Sequence, residues 1–125
     1  MRFMTIVKGP ENAGMPPQRL FEEIERLAQE HTEQGILVAR GGLLPTAVGA
    51  RARVKGTTID IKDGPFTEAK EVIGGFAIYE LPSKAAMIKL AREFCQMQLD
   101  IWPSWQGEVE IRQMWADDSD GGNQA

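Results

Sequence analysis

An acid in a tight turn is the first residue that could do chemistry: Asp63, in the stretch DGPFTEAKEVIGGF at residues 63–76. One hypothesis is that its carboxylate faces a cleft, as a general base or as a hydrogen-bond acceptor for a ligand. The alternative is structural. In that case Asp63 accepts backbone N–H groups of its own turn, Gly64 is left-handed, Pro65 fixes the exit and Phe66 anchors the loop in the core. The two are compatible, because a rigid turn can also hold an acid in place.

His31 is the second candidate for proton transfer, since a histidine exchanges protons near neutral pH. It follows Leu20, Ile24 and Leu27 at helical spacing, so we expect it to face inward or to lie at the rim. The alternative is a packed histidine near a helix C-terminus, where the helix dipole favours it. No second histidine or neighbouring cysteine provides metal-site spacing, and we therefore expect no metal.

Basic side chains suggest a place for an anion. Arg51, Arg53 and Lys55 alternate with small apolar residues and share one face of a predicted hairpin. They are typical of a solvated strand face or of a contact between two copies. Arg53, and also Arg40, could instead bind the carboxylate of a ligand, because a guanidinium group binds carboxylate in a two-pronged fashion.

A ligand pocket could also have aromatic walls. Tyr79, Trp102 and Trp105 are the candidates for such walls, and packing within the core or an interface is the alternative. Gly75 follows Gly74 in a predicted strand, where glycine permits a bulge or the close approach of backbone or of a ligand. Neither a phosphate-binding loop nor a dinucleotide fingerprint occurs, so we expect no cofactor. The GxSxG turn of many hydrolases is missing too.

Composition and charge restrict the possible partners. The net charge of −4 owes three acids to Asp117, Asp118 and Asp120; without them the chain has 14 basic and 15 acidic residues. Such a neutral body argues against nucleic acid as a partner. No apolar run approaches the roughly 18 residues of a membrane span, and we expect no membrane contact. The single Cys95 has no partner for a disulfide, which favours a cytoplasmic location.

The predicted elements give one domain over residues 1–115 and an acidic, disordered tail over 116–125. Their order is strand, helix, strand, inserted hairpin, strand, helix, strand. This order predicts an α+β fold, a ferredoxin-like unit with a β-hairpin inserted in its middle. Strands 2–8 and 72–81 are apolar on both faces, while two helices cover one face of a sheet. We therefore predict a homodimer in which two sheets pack face to face.

The chain resembles the DGPF, or YCII-related, family of small bacterial proteins. The resemblance rests on the DGPF block, with RFMTIVK, GGLLPT, GARARV and EVEIRQM in support. It implies a dimeric α+β barrel, whose fold is similar to that of cofactor-free monooxygenases and muconolactone-type isomerases. Some family members are encoded near extracytoplasmic-function sigma factors or fused to them.

Two segments depart from the pattern of that family. Many relatives have Glu and His in the segment corresponding to RGGLLP, where Arg40, Gly41 and Leu44 stand here. Many also have Tyr or His at the position of Leu27. From the residues and the resemblance together we predict a small organic ligand between sheet and helices, with acid/base chemistry that needs neither metal nor nucleotide. The alternative is a non-catalytic, dimeric accessory or regulatory module, linked to a sigma-factor system.

Overall fold

The computed structural model describes residues 1–116; the predicted tail lies outside them except for Ala116. Two helices and six strands confirm the predicted α+β class, and the strands form a four-stranded antiparallel sheet in the order β2-β5-β1-β6 plus a separate β3–β4 hairpin. This is the ferredoxin-like order with an inserted hairpin. The elements are β1 (Arg2–Gly9), α1 (Gln18–Glu33), β2 (Leu37–Gly42), a 3-10 turn (Thr46–Val48), β3 (Ala50–Lys55), β4 (Thr58–Asp63), β5 (Val72–Glu80), α2 (Lys84–Ile101) and β6 (Glu108–Gln113).

Local signals in the sequence set the ends of the helices. Ser83 precedes α2, and its side-chain oxygen accepts a hydrogen bond from the backbone N–H of Ala86 at 3.1 Å. A cap of this kind stabilises a helix by about 1 kcal/mol. Gly35 follows α1 with a positive φ of 75°, a conformation that favours glycine and stops the helix.

The packed core lies at one end of the sheet. Phe3 and Tyr79 pair across β1 and β5, and Phe3 packs with Leu81 and Met87 of the neighbouring segments. Phe3 and Met87 are each 1 % exposed. Because strand side chains alternate, Thr5 lies on the same face as Phe3, towards the helices. The core therefore fixes the sheet against α2 from the start of β1.

The opposite face of the sheet is apolar at its centre. Met4 pairs with Ile78 and Ile6 with Phe76, so these side chains form one patch on the central strands. Gly41 of β2 pairs with Phe76, and a Cβ atom at that glycine would lie 2.8 Å from the phenyl ring. Glycine thus lets the Phe76 ring lie flat on the sheet. The prediction that a second copy covers this face stays a prediction.

The β3–β4 hairpin projects with little of its surface covered. Val54, Ile59 and Ile61 share one face, as Val54 pairs with Ile59, and they are 81 %, 72 % and 65 % exposed. The opposite face is basic, with Arg51 across from Lys62. A two-stranded hairpin is marginally stable alone in water. Its apolar face is therefore a surface suited to contact with another chain.

Candidate functional site

A cavity of about 720 Å³ lies between the sheet and the two helices. It extends along the sheet from Met87 and Tyr79, at the packed core, to Val7 of β1 and Val109 of β6. Its volume falls in the range of pockets that hold drug-sized ligands. The apolar part of its wall comes mainly from the helices and the loop after α2, through Leu20, Ile24, Leu90, Phe94, Trp102 and Trp105.

Glycines leave room for the cavity at the sheet. Gly42 and Gly75 pair across β2 and β5, and both contribute to the wall. A Cβ atom at Gly75 would lie 3.1 Å from the Gly41 carbonyl oxygen, tighter than ordinary contacts. Nothing lies within 4 Å of a Cβ atom at Gly42 or Gly74. The prediction of close approach at Gly75 therefore has a structural basis, although the group that approaches is backbone.

His31 and Tyr79 meet beside the cavity. The Nδ1 atom of His31 is 2.8 Å from the Tyr79 hydroxyl oxygen, and the rings are edge to face with centroids 5.4 Å apart. His31 is 4 % exposed, whereas Tyr79 contributes to the cavity wall. The helical spacing predicted that His31 faces inward or lies at the rim, and the side chain faces inward. Two candidate residues from different elements are thus brought together.

Burial sets the protonation of this pair. It lowers the pKa of His31, against a weaker opposing effect of Glu30 and Glu93, and favours the neutral imidazole. It also raises the pKa of Tyr79, so the phenol keeps its proton at neutral pH. With the imidazole proton on Nε2, Tyr79 donates its hydrogen bond to Nδ1. With that proton on Nδ1, His31 donates to Tyr79 and the phenol proton is free to point into the cavity.

Arg40 lies at the cavity wall, paired with a carboxylate. Its Nη2 atom donates to both oxygens of Glu25 on α1, at 2.8 and 2.9 Å. Both side chains contribute to the wall and are partly exposed. Ligand binding by Arg40 stays a prediction, and a carboxylate ligand would compete with Glu25 for Nη2.

Asp63 lies at the end of β4, exposed, and does not contribute to the cavity wall. Its carboxylate has no hydrogen bond or ion pair with any of residues 1–116. The expected left-handed Gly64 is wrong, since the glycines with positive φ are Gly14, Gly35 and Gly56. Its backbone N–H instead donates to the Gly49 carbonyl at 2.9 Å, and the bond to Pro65 is cis. A catalytic role for Asp63 stays a prediction.

The DGPF turn is fastened to other loops through Thr46. Its hydroxyl accepts a hydrogen bond from the backbone N–H of Phe66 at 3.1 Å and donates to Glu11 at 2.6 Å. The Phe66 ring is half-buried, and the Cζ atom of the Arg51 guanidinium lies 3.8 Å from the centre of the ring. We expected Phe66 to anchor the loop in the core, and it does not lie there. Arg51 also forms an ion pair with Glu68. The turn thus connects the hairpin to two further loops of the chain.

Arg53 lies on the basic face of the hairpin, across from Asp60, and is exposed. Like Asp63, it does not contribute to the cavity wall. Its proposed contact with a ligand stays a prediction.

Sequence reasoning missed three polar residues of the wall, Thr5, Glu25 and the buried Gln98. Gln98 is 6 % exposed, and its Oε1 atom has no hydrogen-bond partner among the described residues. The signal was present, because Gln98 follows Phe94 by four residues on the helical stripe that faces the sheet. Trp102 and Trp105, which were considered, stack with centroids 6.4 Å apart and both reach the cavity.

Nearly the whole chain matches one known protein family. A family model described as YCII-related domain matches residues 1–113, from β1 to the end of β6. A search of curated proteins found no significant match. Across the part of the chain that the structure describes, neither helix is long and apolar enough to cross a membrane. Residues 1–116 also contain no group of three or more His, Cys, Asp or Glu side chains placed to hold a metal ion.

Proposed function

The chain belongs to the family of YCII-related domains, and this family name describes a domain and not a reaction. From the cavity we propose that the protein binds a small organic molecule between the sheet and the helices. The observation that supports this most is the cavity of about 720 Å³, with apolar walls and a few convergent polar groups. Such a cavity is the usual form of a small-molecule site.

The Tyr79–His31 pair handles protons in this proposal. The buried phenol is protonated and can donate a hydrogen bond to an oxygen atom of the ligand. Transfer of that proton leaves a phenolate, which the Nδ1–H of His31 stabilises by a hydrogen bond. His31 thereby completes an acid that needs neither metal nor nucleotide. Asp63 keeps its predicted role as a base only if it reaches a ligand that extends beyond the wall.

Native mass spectrometry of the protein isolated from cells tests ligand binding. We expect one bound molecule per protomer in the wild type and none in Gly42→Phe, whose ring enters the empty space beside that glycine. Val38→Phe is the matched control, because Val38 lies on the same strand, is 47 % exposed and is outside the wall. A wild-type protein that carries nothing and takes up no naphthalene in solution contradicts the proposal.

We also propose that the protein is a cytoplasmic homodimer whose sheets pack through Met4, Ile6, Phe76 and Ile78. Burial of an apolar side chain contributes about 1.5–3 kcal/mol, so a patch of this kind can hold a dimer. Light scattering should give a dimer at micromolar concentration, and Ile6→Glu should give a monomer. Ile88→Glu is the control, since Ile88 is an exposed apolar residue of α2. A wild-type monomer would refute the dimer.

The β3–β4 hairpin favours a second candidate function, a non-catalytic accessory or regulatory module of the kind linked to sigma factors. The supporting observation is its exposed apolar face, Val54, Ile59 and Ile61. Under this alternative, Ile61→Lys abolishes a complex with a partner polypeptide, which cross-linking through the hairpin can identify. Cavity binding then remains unchanged. If the same substitution leaves every complex intact, the hairpin has no such role.

A further inference from the structure

The side-chain amide oxygen of Gln98, Oε1, has no hydrogen-bond partner among residues 1–116. Gln98 lies in the last turns of α2. The residue is 6 % exposed and therefore 94 % buried. Native proteins pair nearly all buried polar atoms, because an unpaired one costs stability. A partner for Oε1 would therefore come from beyond residues 1–116, and a ligand in the cavity could supply it.

This amide borders the cavity. Gln98 is part of the wall, between Phe94 and Trp102, which precede and follow it by four residues. The last torsion of a glutamine side chain is broad and roughly two-fold, so a half-turn about it exchanges the positions of Oε1 and Nε2 and can present either atom to the space. An amide both donates and accepts. A group that does the same on the ligand can satisfy it whichever way it turns.

The wall carries no unpaired charge to hold an ion. Among the wall residues within 1–116, Glu25 and Arg40 are the charged ones, and they are paired with each other at 2.8 and 2.9 Å. A charged group placed in an apolar cavity without a counter-ion loses its hydration without compensation. The polar wall groups that remain are neutral, including the Tyr79 hydroxyl and the Gln98 amide.

We propose that the cavity selects a neutral ligand, with an apolar ring-containing body and one hydroxyl or amide group hydrogen-bonded to Gln98. The ring-containing body fits walls that include Phe94 and the stacked Trp102 and Trp105. This inference rests on the proposed binding function and specifies its ligand class.

Isothermal titration calorimetry with naphthalene, 2-naphthol and 2-naphthoate tests the inference, because the three share a ring system and differ in one group. We expect 2-naphthol to bind roughly tenfold tighter than naphthalene, the effect of one hydrogen bond, and 2-naphthoate to bind more weakly than 2-naphthol. In Gln98→Leu the ratio between 2-naphthol and naphthalene should fall to about one, with naphthalene binding retained. Gln96→Leu is the matched control on the same helix, exposed, and should keep the ratio.

Two further variants keep the test decisive. Glu25→Gln frees Arg40 and should strengthen the binding of 2-naphthoate. If Gln98→Leu fails to fold by circular dichroism, Gln98→Met replaces it with an unbranched side chain of similar length.

Each remaining outcome counts against one specific statement. Equal wild-type affinity for naphthalene and 2-naphthol overturns the role of Gln98 and leaves cavity binding intact. Tighter binding of 2-naphthoate overturns the preference for a neutral ligand. If none of the three probes binds, the proposed binding function fails, and the ligand class fails with it.

Discussion

A methyl group at Gly64 should damage the protein more than at any neighbouring glycine. An ideal Cβ atom at Gly64 lies 1.6 Å from the Thr46 carbonyl oxygen, whereas real Cβ atoms stay at least 3.0 Å away. The Cβ position is fixed by the backbone of residue 64, and the atom that it meets is a backbone oxygen. Rotation of a side chain therefore cannot relieve the contact. Gly64→Ala must therefore separate the DGPF turn from the segment around Thr46.

The cost follows from what that separation breaks. Two hydrogen bonds cross the contact: Gly64 N–H to the Gly49 carbonyl at 2.9 Å, and Phe66 N–H to the Thr46 hydroxyl at 3.1 Å. Each contributes about 1 kcal/mol, and overpacking adds about 1–3 kcal/mol. We expect Gly64→Ala to lower the free energy of unfolding by about 3–5 kcal/mol, a large part of the 5–15 kcal/mol typical of a domain.

Urea unfolding followed by circular dichroism measures this difference. With a denaturant dependence of about 1–3 kcal/mol per molar, the midpoint should fall by at least about 1 M. The control is Gly74→Ala, where a Cβ atom meets nothing within 4 Å and φ is not positive. We expect its stability to change by less than about 0.5 kcal/mol. If Gly64→Ala is as stable as the control, the close approach does not exist and the DGPF turn needs another explanation.

Substitutions at three further positions test other contacts in the structure. Because burial lowers the pKa of His31, the unfolded chain binds a proton at this residue more readily than the folded chain does. The free energy of unfolding should therefore fall as the pH drops below about 6.5. In urea unfolding between pH 7.5 and 5.0, the free energy of unfolding should depend less on pH in His31→Asn than in the wild type, by at most about 1.4 kcal/mol per pH unit. An equal pH dependence in the two proteins would refute this. Asp63→Asn should change stability by less than about 0.5 kcal/mol, since its carboxylate has no partner in residues 1–116; a larger loss in urea would reveal a structural role. Arg51→Ala removes the stacking on Phe66 and the ion pair with Glu68, and calorimetric melting should show a loss of about 0.5–1.5 kcal/mol, with Arg51→Lys losing less.

The order of elements could be predicted because each has a distinct local pattern. Alternation in β1 and β6 and helical spacing in α1 and α2 do not depend on the rest of the chain. Ser83 and Gly35 act within their own turns, so the helix ends could be predicted as well. These features need no knowledge of which strands are neighbours.

The geometry of the site depends on contacts between distant segments. His31 and Tyr79 are 48 residues apart, and their 2.8 Å contact depends on how α1 lies on β5. The Arg40–Glu25 pair likewise joins β2 to α1. Residue type alone suggested a ligand carboxylate for Arg40 and no particular partner for His31, because the partner of each is set by tertiary packing.

The DGPF turn shows the same limit at short range. Asp-Gly commonly marks a left-handed turn, and this is what the sequence predicted for Gly64. In the structure, a glycine is required there because of the Thr46 carbonyl oxygen, which comes from a segment outside the turn. A rule based on neighbouring residues cannot include that oxygen.

The open glycines beside the cavity have a consequence for how such a domain can diverge. Gly42 and Gly74 contribute to the wall, and a Cβ atom at either would meet no other atom within 4 Å. Substitution there would reduce the space for a ligand while the strands keep their pairing. A duplicated gene could therefore acquire a preference for smaller compounds in single mutational steps, without passing through an unstable intermediate.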